Sequence, residues 1–94
     1  MTATITIGPN GVSPAAVTIA RGGRVTVTNN NTRVHEISSD PHPNHTDCVE
    51  INALGALSPG ETGMTAPFSV ARRCGFHDHL DHDNPALRGS ITIQ

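Results

Sequence analysis

The chain is predicted to be all-β, folded as one β-sandwich of about seven short strands. Short segments in which apolar and polar residues alternate recur along the sequence, separated by Gly, Pro and Asn. No stretch of helical length carries apolar residues at the i, i+3, i+4 and i+7 spacing of an amphipathic helix. At 94 residues the chain is long enough for a single domain, residues 1–94, with a modest core.

The strand candidates follow one another from the first residues to the last. The turns between them are marked by Pro9-Asn10-Gly11, Gly22-Gly23 and Ser58-Pro59-Gly60, the last with the residues that a type II turn requires. Ser39 to Gly60 is too rich in Pro, Asn and Asp for a regular central strand. The predicted strands are 2–7, 17–19, 25–28, 34–37, 68–70, 72–77 and 90–93.

Composition excludes two classes of function. The chain has no Lys, Trp or Tyr, only the two aromatic residues Phe68 and Phe76, and a net charge of −2, so neither a basic groove nor stacking platforms for nucleic acid are expected. No apolar run reaches the eighteen or so residues of a membrane helix. The start, Met1 to Ile5, lacks the basic and apolar regions of a signal peptide, which leaves open a cytosolic protein or a mature exported domain.

Histidine is the unusual residue, with six in 94 positions, and three of them follow Cys74 closely. His77 and His79 are two residues apart, so on a strand their side chains point to the same face. His82 follows in the same segment. Imidazole and thiolate together are ligands for copper or zinc, and the cluster therefore predicts a metal site.

The remaining histidines lie in the first half of the chain. His35 ends a predicted strand, so the scaffold would aim its side chain, and it is the better ligand candidate. His42 and His45 lie among Pro, Asn and Asp and are interpreted as ordinary loop residues, although both would approach the metal if the loop folds over it. The Cys and His spacings do not fit a zinc finger.

Taken together, these residues resemble the cupredoxins, the blue-copper family of plastocyanin. The resemblance covers nearly the whole chain: a strand-end His35, a Pro-Gly turn, the Cys74-x2-His77 motif, and Leu87-Arg88-Gly89 before a closing strand. It implies a Greek-key sandwich with one copper at one end, a role in one-electron transfer and no enzymatic activity. His35, Cys74 and His77 would be ligands, and His79 is included as a further candidate.

The resemblance also implies a periplasmic or extracellular location and a redox or copper-donor protein partner, with the chain itself a monomer.

Three departures from the family pattern leave the ligand set of the site open. Leu87 stands where the family has an axial Met ligand, and His82, five residues after His77, has the spacing of an alternative axial ligand. Glu36 stands where relatives often have Asn. Cys48 is available to form a disulfide with Cys74. A disulfide there would leave an imidazole-only site suited to binding copper rather than to fast electron transfer, built from His35, His77 and His79 with help from His42 or His45. A cupredoxin-like scaffold without metal, in which the histidines are polar loop residues, is a further alternative. A small metal-dependent oxidoreductase ranks last, because a buried substrate pocket is hard to build in so short a chain.

Overall fold

A computed structural model describes residues 2–94 and confirms the all-β sandwich. It has eight strands, one more than expected. The strands are β1 (Thr2–Gly8), β2 (Gly11–Ser13), β3 (Ala16–Ile19), β4 (Arg24–Asn29), β5 (Ile37–Ser39), β6 (Thr62–Met64), β7 (Arg72–Asp78) and β8 (Gly89–Ile93). Short 3-10 helices span Val49–Leu54, His79–Asp81 and Pro85–Leu87.

The strands form two mixed sheets of four strands each, in the orders β2-β1-β4-β6 and β3-β8-β7-β5. β1 runs parallel to β4 and β3 runs parallel to β8, and the remaining pairs are antiparallel. The differences from the predicted strands are local. Residues 11–13 and 62–64 pair at sheet edges, whereas 68–70 forms no strand and His35 makes only an isolated bridge with Leu57.

The apolar positions of the alternating strands fill the space between the sheets. Ile5 and Ile7 of β1 and Val25 and Val27 of β4 are buried, while the residues between them are not. This is the pattern of a strand with one face on a core. The second sheet and its connections complete the core with Ile19, Ile37, Ile51, Leu54, Leu57, Phe68, Cys74, Phe76, Leu87, Ile91 and Ile93.

β7 continues four residues beyond Cys74, and this length determines where its side chains point. Because side chains alternate along a strand, Cys74, Phe76 and Asp78 share one face and Gly75 and His77 the opposite one. The buried residues of the first group lie on the core side. His77 is therefore presented on the outer face of the second sheet.

Candidate metal centre

The loop of residues 40–48 carries two histidines to the outer face of β7. It leaves the edge strand β5, and Asp40 N–H donates to the carbonyl of Gly75 on β7 at 3.1 Å. It closes on itself where Asp47 N–H donates to the Asp40 carbonyl at 3.0 Å. These bonds keep the loop, with His42 and His45, over the outward-facing His77.

The backbone at His45 is fixed from two sides. Its N–H donates to the carbonyl of Pro41 at 2.7 Å, and its own carbonyl accepts from Asn52 Nδ2 at 2.7 Å. These bonds hold His45 in the left-handed region, at φ 55°, which costs an L-residue roughly 1–2 kcal/mol. The imidazole is thereby aimed at β7 by its own backbone.

Four imidazoles converge at this place. Their metal-ligating nitrogens, from His42, His45, His77 and His79, all lie within 4.8 Å of one another. His45 Nε2 lies 3.2 Å from His77 Nε2 and 3.3 Å from His79 Nδ1. A tetrahedral ion with metal–nitrogen bonds of 2.0–2.1 Å separates its ligands by about 3.3–3.4 Å. The two measured distances are thus already those of ligands around one ion, and the nitrogen of His42 lies within the same 4.8 Å.

Asp40 orients the buried member of the group. His77 Nδ1 lies 2.7 Å from Asp40 Oδ1, and a carboxylate only accepts, so the ring donates Nδ1–H and keeps its Nε2 lone pair for a metal. Gly75 makes room for this carboxylate. A Cβ built at Gly75 would lie well within 3.0 Å of Asp40 Oδ2, closer than side chains tolerate.

The charge state of the loop imidazoles also suits a cation. The pKa of His42 lies below its ordinary value of 6.5, first through desolvation and then through the nearby rings of His82, His79, His77 and His45. The pKa of His45 is lowered by desolvation, then by His77 and His79, while Glu36 and Asp40 oppose the shift. Near neutral pH both rings are therefore available as neutral ligands.

Cys74 does not offer a thiolate to this group. It forms a disulfide with Cys48, across a sequence separation of 26 residues, and both half-cystines are buried in the core. Of the two versions that the sequence left open, the structure has the one with the disulfide. The bond fastens the end of the histidine-bearing loop to β7, three residues before His77.

His35 lies apart from the four imidazoles, on the core side of β7. Its Nδ1 is 2.5 Å from Asp78 Oδ2 and its Nε2 is 2.9 Å from Asn31 Nδ2. Asn31 Oδ1 already accepts from Thr32 N–H at 2.8 Å, so its amide donates to His35. His35 is thus a neutral ring that donates to a buried carboxylate, with both nitrogens bonded inside the protein.

The structure therefore brings together two of the predicted ligands, His77 and His79, and separates them from His35 and Cys74. The reason is the alternation of side chains along β7. Cys74 and His77 are three residues apart in one continuous strand, so their side chains point to opposite faces. A common site for both requires the strand to end at Cys74, and it does not.

The two loop histidines of the cluster, His42 and His45, were interpreted from the sequence as ordinary polar loop residues. The signal that could have found them is the pairing of Cys48 with Cys74, because it ties their loop to the strand that carries His77. Neither axial candidate is among the four converging imidazoles. His82 stacks on His42, with ring centroids 4.0 Å apart and planes at 8°. Leu87 is a core residue, 2% exposed.

The architecture matches solved structures of a cupredoxin, a plastocyanin and an amicyanin over almost the full chain. A purple cupredoxin from Nitrosopumilus maritimus has a TM-score of 0.73 at 20% identity, covering 98% of this chain and 99% of that one. An oxidized plastocyanin from Dryopteris crassirhizoma has a TM-score of 0.73 at 21% identity, with 98% and 100% covered. A reduced amicyanin variant reaches 0.77 at 16% identity, with 99% and 82% covered.

The chain has the cupredoxin fold. At these identities the likeness concerns the cupredoxin architecture, and the site must be argued from this chain's own residues. No protein-family model and no curated protein sequence matches the chain. Within residues 2–94 of this cupredoxin-like chain, no helix is both long and apolar enough to cross a membrane.

Proposed function

We propose that this protein is a copper-binding module, a single cupredoxin-like domain that holds one ion through imidazoles rather than through a thiolate. The observation that carries the proposal is the convergence of four histidine nitrogens within 4.8 Å on the outer face of β7. His45, His77 and His79 would supply the compact set of ligands, with His42 as the fourth. Asp40 would hold His77 in the tautomer that leaves Nε2 free.

The donor set favours copper. Nitrogen sites bind divalent first-row metals in an order that peaks at Cu²⁺, above Zn²⁺. A bound copper ion would supply a centre able to change between its two oxidation states. The cluster offers no soft sulfur ligand, because Cys74 is in the disulfide. We therefore infer a role in binding or handling copper, and not rapid electron transfer through a copper–thiolate bond.

The location and partner follow from the same features. A buried disulfide persists in an oxidising compartment, which supports a periplasmic or extracellular protein. A module that binds copper must exchange it, so its partner is a protein that donates or receives the ion. We propose that the chain acts as a monomer and without catalytic activity of its own.

The test is an equilibrium titration of the disulfide-intact protein with Cu²⁺ in the presence of a competing chelator. One ion should bind per chain, and His77→Gln or His45→Gln should weaken binding by at least tenfold. His82→Gln is the matched control, since His82 stacks on the site but lies outside the four ligands. Binding that is absent, or insensitive to both ligand substitutions in folded protein, would refute the proposed function.

A further inference from the structure

A cavity of about 290 Å³ opens beside the histidine cluster. Its lining includes two of the proposed ligands, His42 and His77, but not His45 or His79. Arg88 and His82, from the loop after β7, also line it, together with Asp40 and Pro41. The cavity therefore borders both the cluster and a guanidinium group.

Arg88 is oriented by its own loop. Its Nε and Nη2 both donate to the backbone carbonyl of His82, at 3.2 and 2.8 Å. A guanidinium has five N–H donors, so two are used and three remain. Within residues 2–94 these three have no acceptor in the protein. Held by one edge in this way, Arg88 keeps donors for a planar anion.

The charge of the cavity depends on the metal. Asp40 and Arg88 contribute one negative and one positive charge, and the imidazoles are neutral when they act as ligands. The wall is therefore close to neutral without an ion and carries about two positive charges with a divalent ion on the cluster. An anion would thus be attracted chiefly to the metal-loaded protein.

We propose that this cavity binds a small carboxylate between Arg88 and the metal-loaded histidine cluster, an inference that rests on the proposed function. The volume of 290 Å³ is about ten times the roughly 30 Å³ that one water molecule occupies in the liquid. A small carboxylate therefore has room beside Arg88 and the two histidines that line the cavity.

The test uses protein loaded with one equivalent of Zn²⁺, which is diamagnetic, and sodium formate as the probe. Formate is titrated at constant ionic strength while NMR follows the Arg88 Nε–H resonance and, in every variant, the backbone amide resonances of the lining residues His42, His77 and His82. We expect saturable shifts at Arg88, and at least tenfold weaker formate binding to metal-free protein. Arg88→Ala should weaken binding by at least tenfold, and Arg88→Lys by less. Arg33→Ala, which removes an exposed partner of Asp81 away from the cavity, should leave it unchanged.

Each failure has its own signature. If Cu²⁺ does not bind in the titration described for the proposed function, that function fails and the anion site fails with it. If the metal binds but formate does not, or binds equally well to metal-free protein, the carboxylate site is wrong and the metal site stands. Formate affinity that is unchanged in a folded, metal-loaded Arg88→Ala protein also overturns the site.

Discussion

Asp40→Asn should weaken metal binding while leaving the fold intact. The carboxylate is replaced by a neutral amide of the same shape, so the 2.7 Å contact with His77 Nδ1 remains but loses its ionic character. Partners of this kind change metal affinity by about 10–100-fold when they are mutated. The Asp40 side chain is 43% exposed, and water screens its charge. We therefore expect the lower end of that range, about tenfold or 1.4 kcal/mol.

The assay is competitive Cu²⁺ titration, with thermal unfolding of the metal-free protein as the check on folding. Asp47→Asn is the matched control, because it removes the same charge from an exposed side chain of the same loop. Gly75→Ala should reproduce the loss by displacing Asp40 from His77.

Because Asp40→Asn and Gly75→Ala act on one contact, the double variant should lose less than the sum of the two. Equal affinity in wild-type and Asp40→Asn proteins, or an equal loss in Asp47→Asn, would refute the assigned role of Asp40.

Three further predictions concern stability and ligand identity. Since the pKa values of His42 and His45 lie below 6.5 in the folded protein, the unfolded chain takes up protons first as the pH falls. The metal-free protein should therefore lose stability as the pH falls below 6.5. When His42 and His45 are both changed to Gln, the free energy of unfolding in urea should depend less steeply on pH. An unchanged pH dependence would contradict the lowered pKa values. Replacing both half-cystines with Ala should cost about 3.5 kcal/mol by chain-entropy reasoning for a 26-residue separation, and a loss below about 1 kcal/mol in urea unfolding would show that the cross-link contributes little. His35→Gln should destabilise the fold by about 1.5–3 kcal/mol, as for the loss of a hydrogen bond to a charged group, because it disturbs the contact with the buried Asp78 carboxylate. It should keep one copper per folded chain, and loss of that copper would make His35 a ligand.

Local patterns in the sequence were sufficient to predict the sandwich. Apolar residues alternate with polar ones at Ile5 and Ile7 and again at Val25 and Val27, which places one face of each strand on the core. Gly and Pro mark the turns between the strands. Three-residue strands such as β2 and β6 carry too little alternation to be recognised, since their pairing is imposed by the neighbouring long strands.

The candidate site was predicted only in part. His77 and His79 were identified from their i, i+2 spacing and both lie in the cluster, although His79 begins a 3-10 helix after β7 rather than continuing the strand. Cys74 was included because Cys74-x2-His77 resembles the cupredoxin motif, whereas the continuous strand through His77 puts these two side chains on opposite faces. The approach of His42 and His45 depends on the packing of their loop against β7, a long-range contact that local sequence patterns do not report.

The central claim is that copper is held by imidazoles alone on the outer face of β7, and pulsed EPR of the protein loaded with one equivalent of Cu²⁺ tests it most directly. The account predicts a single species with nitrogen couplings from three or four histidines, which lose one coupling in His77→Gln but not in His35→Gln. A spectrum of hydrated Cu²⁺ would contradict it. So would couplings that vanish with His35, or the small copper hyperfine splitting and intense visible band of a copper–thiolate bond.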